Sequence, residues 1–267
     1  MAPSNSGTAS GTADEVVEIL EEGGEPTTPT LVVADIEARG LSVGPGADLS
    51  DSNLEYAQLG WRNLRGANMS NCVVNNAVLS RATLIGANLS NSSFTNSDFY
   101  GARLQGSRGE HSIFENCNMA QALFNEAVLV GANFKGAFME DTEFKDADLR
   151  GANFSEAHIE FTDFSGSRMA GAEFIGASLH KVTFDTQDSD YESIDLHQAV
   201  WSDPDEPTPL NWMVGNDGKL RRSFEYIIAK SARPDLNAEA ARMLYDEHPE
   251  LNEAAMLTLL GSFGARP

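Results

Sequence analysis

From Leu49 onward every fifth residue is large and apolar, and no insertion disturbs the register before Phe184. The run passes through Leu54, Leu59, Leu64, Met69, Val74 and Leu79 and reaches Leu104, then resumes from Phe114 after a gap at Gly109. Of these 28 positions only Gly109 departs from the rule. A second rule runs beside the first. Two residues before each large one stands Ala, Ser, Cys or Thr, with Arg62 and Val182 as the exceptions. Helices repeat every 3.6 residues and strands every two, so neither yields a strict five. A five-residue period means that each unit turns a corner.

A coil with straight sides satisfies both rules. One side chain per unit reaches the axis, and its neighbour two back is small because the interior narrows there. Four sides make a lap of 20 residues, so residues 20 apart stack on one another. Phe94, Phe114, Phe134, Phe154 and Phe174 then form one column, and Phe124, Phe144, Phe164 and Phe184 form the opposite one. Stacked rings of this kind offer repeated contacts and a dry core. About seven laps at roughly 4.8 Å per strand layer give a rod about 34 Å long.

The units Ala47-Asp48-Leu49, Ala67-Asn68-Met69, Ala87-Asn88-Leu89, Ala132-Asn133-Phe134, Ala147-Asp148-Leu149 and Ala152-Asn153-Phe154 carry a further resemblance. They look like the A(D/N)LXX signature of pentapeptide-repeat proteins. The resemblance covers a little over half the chain and implies a mainly β fold, a right-handed quadrilateral β-helix. It says less about function, because one scaffold serves many roles. Some members of that family resemble duplex DNA in shape and charge, occupy type II topoisomerases such as DNA gyrase, and protect against quinolones.

The flanks divide the chain into an arm (1–43), the solenoid with its terminal cap (44–201), an acidic proline-rich linker (202–209) and a small C-terminal α-helical domain (210–267). In the arm, Thr12 and Glu15 fit a capping box before Val16–Leu20, and Leu31–Ile36 is expected to be a strand sealing the first lap. The phase is lost across Asp188–Glu192 and restarts two residues later at Ile194 and Ala199, with Trp201 as a plug over the final turn. In the tail, Leu220, Phe224, Ile227 and Ile228 share one helical face, and Asn237 and Asn252 are N-cap candidates for two further helices.

Charge narrows the function classes. Against 18 Lys and Arg stand 40 Asp and Glu, a net charge of −22. Such a chain repels itself and makes a poor direct ligand for nucleic acid. No stretch of 18 apolar residues crosses a membrane. The Ser/Thr/Gly-rich start has no basic or apolar segment of a secretory signal, so a cytoplasmic or particle-associated protein is expected.

No catalytic constellation is visible. The histidines form no HExxH or Cys/His pattern, and no cofactor or metal is expected. Asp188–Glu192 resembles the start of a calcium loop but lacks its glycine and its closing glutamate, so it reads as a solvated acidic turn. Cys72 and Cys117 occupy the small inward slot and read as buried alanine substitutes. Gly109 reads as a dent in one wall, with a functional notch as the alternative.

The outward positions carry the interaction candidates. Stacking by 20 sets Glu140 over Glu160, Glu143 over Asp163 and Glu126 over Asp146, with Asp141 beside them and Lys145 as the one relief. Like charges so close repel, so this acidic edge is a candidate contact surface. The apolar outliers Trp61, Val73, Ile85, Ile113, Phe138, Phe161 and Ile175 point to covered walls, and Trp61, Phe138, Phe161, Trp201 and Trp212 are the candidate apolar contacts. Two roles follow. One is a non-enzymatic scaffold in a homo-oligomer or larger assembly of protein partners. The other, through the resemblance, is a DNA mimic acting on a type II topoisomerase.

Overall fold

Where Asp or Asn holds its second position, a five-residue unit finds a partner for each of its backbone donors. In the unit Ala67–Asn71, Asn68 N–H donates to Ala47 C=O at 2.8 Å, Met69 N–H to Asn88 C=O at 2.7 Å and Asn71 N–H to Ser90 C=O at 3.0 Å. Ala67 N–H closes the preceding turn onto Leu64 C=O at 3.0 Å. The fifth donor, Ser70 N–H, meets Asn68 Oδ1 at 3.3 Å. Glu55 on Asn53, Tyr100 on Asp98, Ser155 on Asn153 and Ser165 on Asp163 repeat that last bond. A buried or half-buried N–H without a partner is costly, and a short Asx side chain supplies one two residues on. The Asp/Asn preference of the motif has this physical cause.

The corner itself lies two residues after each large side chain, where the backbone is left-handed. Asn71, Asn76, Asn91 and Asn96 have φ of 58°, 57°, 59° and 60° there. Glycine and asparagine tolerate that region and most side chains do not. Trp61, Arg81 and Phe161 nevertheless hold φ of 62°, 56° and 49°.

The computed structural model describes residues 31–184, 194–202, 208, 212–214 and 217–222. Within them the units stack into parallel ladders whose partners are 20 residues apart, as Asn68 with Asn88 and Val73 with Ser93. Ladder 1 runs from Asp48 to Arg168 and ladder 2 from Asn53 to Glu173 and Asp195. Ladder 3 starts at Gln58 and ladder 4 at Asn63, the latter continuing through Thr83, Arg103, Leu123, Glu143 and Asp163 to Thr183. Laps are numbered here along ladder 4, lap 1 at Asn63 and lap 6 at Asp163. On ladder 3 the bridges lengthen into short strands: β1 (Phe138–Glu140), β2 (His158–Glu160), β3 (Ser178–His180) and β4 (Val200–Trp201).

Large side chains fill the interior. Both phenylalanine columns form as their spacing requires. Phe114, Phe134 and Phe154 stack at 5.1 and 4.9 Å, and Phe124, Phe144 and Phe164 at 5.0 and 5.2 Å. The columns meet edge to face, Phe134 on Phe144 at 5.7 Å. In the small slot, the side chains of Cys72, Ser92, Ser97, Cys117 and Thr142 reach back to carbonyls 23 residues earlier, while Ser112 and Ser167 donate three residues back. Ser92 Oγ donates to Met69 O at 2.5 Å and accepts from Cys72 N–H at 2.9 Å. Cys117 Sγ lies 3.0 Å from Phe94 O.

Gly109 is neither dent nor notch. A Cβ there would stand 2.9 Å from Leu129 Cδ2 and 3.0 Å from Ser112 Oγ, so neighbouring side chains already occupy the space. Both cysteines are buried and free, and burial pushes the Cys117 thiol up to about 12 and raises Cys72 as well. Only a thiolate attacks a disulfide reagent. We therefore expect no reaction of the folded chain with a thiol reagent at pH 8, and two reactive thiols once denaturant is added.

Both ends of the coil are closed. Leu31 joins ladder 3 by pairing with Ala57, and α1 (Val33–Ala38) follows it and buries Ile36 completely. Leu31–Ile36 is thus one bridge and a helix, where a strand was expected. At the other end the two-residue shift is present, because Glu173 pairs with Asp195 and Ser178 with Val200. Beyond it β5 (Trp212–Val214) and β6 (Leu220–Arg222) form an antiparallel pair. Leu220 N–H donates to Ala199 O at 2.7 Å, and Trp201 N–H to Gly218 O at 3.1 Å. That pair covers the open edge of the last strand, a device proteins use against edge-to-edge association. Trp201, expected as a plug over the final turn, pairs with Leu179 and is buried at this end together with Trp212 and Leu220 of the antiparallel pair. Leu220 belongs to a strand, so the helical expectation fails at the start of 210–267. The arm helix at Thr12–Leu20, the acidic turn at Asp188–Glu192, most of the linker and the rest of the tail lie outside the described residues.

Candidate interaction surface

The seven carboxylates of the acidic edge come together where their spacing put them. Glu140 pairs in register with Glu160 at the end of ladder 3, and Glu143 pairs with Asp163 on ladder 4. Asp141 turns the corner between those ladders with φ of 52°. Glu126 and Asp146 take the next corner, at φ of 61° and 57°. All seven belong to laps 4 to 6 and frame the ladder 4 wall.

Few cations relieve them. Lys145 Nζ is 3.3 Å from Asp163 and 3.7 Å from Glu143, and its hydrogen bond to Asp163 and the Glu143 charge raise its pKa. Partial burial works against the Asp163 carboxylate, yet bonds from Ser165 and Lys145 outweigh it and hold its pKa below the usual value. Asn125 Nδ2 donates to Glu143 at 2.8 Å. No ion pair among the described residues reaches Glu126, Glu140, Asp141, Asp146 or Glu160.

The same wall has a second half that a search for acidic excess overlooks. Laps 1 to 3 between residues 60–66, 80–86 and 100–106 contain no carboxylate and four arginines, Arg62, Arg65, Arg81 and Arg103. All four are exposed, and none makes an ion pair among the described residues. Arg81 instead spreads over Trp61 at 4.7 Å and over Tyr100 at 5.7 Å. Stacking by 20 applied to basic residues would have found them.

The apolar candidates divide. Trp61 is 72 % exposed, and Phe138 and Phe161 are 42 % and 45 % exposed. Phe161 lies against His180 at 5.6 Å and under Lys181 at 5.2 Å. Val73, Ile113 and Ile175 are exposed on the wall that carries ladder 2, whereas Ile85 is half-buried. Trp201 and Trp212, by contrast, are buried within the last lap and its cap, 6 % and 4 % exposed, and are core residues, not contact residues. Their size suited a contact role, but the capping strands cover them.

A family model described as a pentapeptide repeat region matches residues 77–154, and one described as pentapeptide repeats in eight copies matches residues 45–71 and 152–185. No curated protein matches. Among solved structures, the chain is similar to QnrB1, a plasmid-mediated fluoroquinolone resistance protein, at 18 % identity over 59 % of this chain and 85 % of that one, with a TM-score of 0.45. It is similar to Rfr23 from the cyanobacterium Cyanothece 51142 at 26 % identity over 39 % of this chain and 64 % of that one, with a TM-score of 0.29. For HetL from Nostoc sp. strain PCC 7120, involved in heterocyst differentiation regulation, the identity is 19 % over 60 % and 78 % of the two chains, with a TM-score of 0.26. No helix among the described residues is long and apolar enough to cross a membrane.

Proposed function

Because this chain belongs to the pentapeptide-repeat family, we propose that it is a non-enzymatic scaffold, a stiff right-handed four-sided rod of about seven laps that joins a homo-oligomer or a larger protein assembly. The observation that carries this reading is the contrast between core and walls. From Leu49 to Leu179, phenylalanine and leucine fill the axis at 1 % exposure or less, while Phe138 stands on an outer ladder, Trp61 and Phe161 stand on a corner column, and charges without an ion pair among the described residues stand beside them. Exposed aromatics and unpaired charges fixed on a rigid frame suit recognition of a protein surface. The setting is cytoplasmic or particle-associated. Light scattering with mass spectrometry on material from the native source tests it. A mass well above the 28.8 kDa of one chain is expected, and a lone chain with no companion protein would count against it.

The acidic edge favours a second reading, the DNA mimic that occupies a type II topoisomerase. The arginines of laps 1 to 3 weaken it, since they interrupt the negative charge along the same wall. Supercoiling by gyrase is expected to continue unchanged at micromolar excess of the chain, and inhibition would favour the mimic.

A further inference from the structure

The wall that carries ladder 4 is basic in one half and acidic in the other, and among the described residues its four arginines and Glu126, Glu140, Asp141, Asp146 and Glu160 make no ion pair. Resting on the scaffold reading, we propose that two copies pair through this wall, antiparallel about a two-fold axis, so that laps 1 to 3 of each face laps 4 to 6 of the other. The axis lies in the contact plane across the rods, so the corner column that holds Trp61 and Phe161 meets its own copy in reverse. Lap 1 then faces lap 6, lap 2 faces lap 5, and lap 3 faces lap 4.

That register matches chemistry to chemistry. Trp61 comes opposite Phe161 of the second copy, which covers the two exposed aromatics of the column. Arg81 comes opposite Asp141, and Gly101 opposite Gln121, both on the same column. Arg62 and Arg65 on lap 1 face the lap of Glu160 and Asp163, Arg81 faces the lap of Asp141, and Arg103 on lap 3 faces the lap of Glu126; none of the four makes an ion pair among the described residues of its own chain. Because the axis repeats every contact, each Arg–Asp meeting occurs twice, as isologous contacts require.

The net charge of −22 opposes two copies approaching from afar. At physiological salt, however, the Debye length is about 8 Å, so the facing walls decide the contact. Laps 1 to 6 of this wall hold Arg62, Arg65, Arg81, Arg103 and Lys145 against seven carboxylates, which is near balance. Six laps span about 29 Å at roughly 4.8 Å each, a small footprint. The pair therefore belongs to the low end of interface sizes, with charge complementarity fixing its register.

Sedimentation of the full chain and two charge reversals at 150 mM salt tests this. The unaltered chain is expected to dimerise. Arg81→Glu alone and Asp141→Arg alone each set like charges face to face, and each should weaken the dimer about tenfold or more. An equimolar mixture of the two variants should dimerise again, because both contacts then join opposite charges. As a check that is independent of charge reversal, oxidation should join an Arg81→Cys chain to an Asp141→Cys chain, while neither forms a disulfide with itself. Circular dichroism confirms that every variant is folded. A mixture that stays monomeric, or dimers indifferent to both reversals, would overturn the pairing. Indifferent dimers leave the scaffold reading standing through another surface. An unaltered chain that is monomeric at high concentration overturns the pairing too, and the mass of the native complex then judges the scaffold reading separately.

Discussion

Phe134→Ala is expected to lower stability by about 3–5 kcal/mol, whereas Phe138→Ala, four residues away, should stay within about 0.5 kcal/mol. Phe134 is fully buried and stacks on Phe114 and Phe154, with Phe124 and Phe144 at its edges. Removing the ring leaves a cavity that the fixed laps on either side cannot collapse into. Phe138 is 42 % exposed on ladder 3 and loses little. Chemical denaturation of both variants reads the difference. In a stacked array each lap leans on its neighbours, so a broad or biphasic transition is the expected form for the buried variant. Equal effects from the two substitutions would mean that the inward and outward positions are wrongly assigned.

Ala152→Asp should be as damaging or more so. Ala152 is fully buried in the small slot, so a carboxylate there is removed from bulk solvent. An uncompensated buried charge costs several kcal/mol, on the order of the whole stability of many domains. Ala152→Ser is the control. Its hydroxyl can donate to Leu129 C=O, as Ser92 Oγ donates to Met69 O at 2.5 Å and as Cys72 Sγ reaches Leu49 O at 2.8 Å. The serine variant is expected to fold with a loss of about 1 kcal/mol or less. Thermal melts followed by circular dichroism separate the two. A folded Ala152→Asp chain with an unchanged midpoint would contradict the narrow, dry interior.

The rod was legible in the sequence because one lap repeats another. A rule that holds at Leu49 holds again at Leu89 and Leu149, so local chemistry and the global stack point to the same answer. The ends were less legible because they do not repeat. Nothing in the spacing of Leu31–Ile36 distinguishes a strand from one bridge and a helix, and only burial of Ile36 against the first lap decides it. Leu220 fits a helical face with Phe224 and Ile227, yet pairing with the exposed edge at Ala199 outweighs local pattern. Gly109 announced an irregularity, but whether Leu129 fills it depends on a side chain 20 residues away. Of the candidate surface, the acidic edge follows from stacking, while the burial of Trp201 and Trp212 depends on a cap that side-chain size alone does not reveal. The arginine half is equally readable, because the same 20-residue stacking brings Arg62, Arg65, Arg81 and Arg103 onto one wall.

One distance tests the lap most directly, and with it every statement about the walls. Asn63 and Asp163 lie on one ladder, five laps apart. Spin labels on Asn63→Cys and Asp163→Cys, diluted with unlabelled chain, report their separation, and the buried native thiols leave no competing site. Five layers at roughly 4.8 Å place the two backbones about 24 Å apart, and a single distribution near that value is expected once label length is allowed for. A separation beyond about 40 Å, or several unrelated distances, would mean that the fives do not close a 20-residue lap.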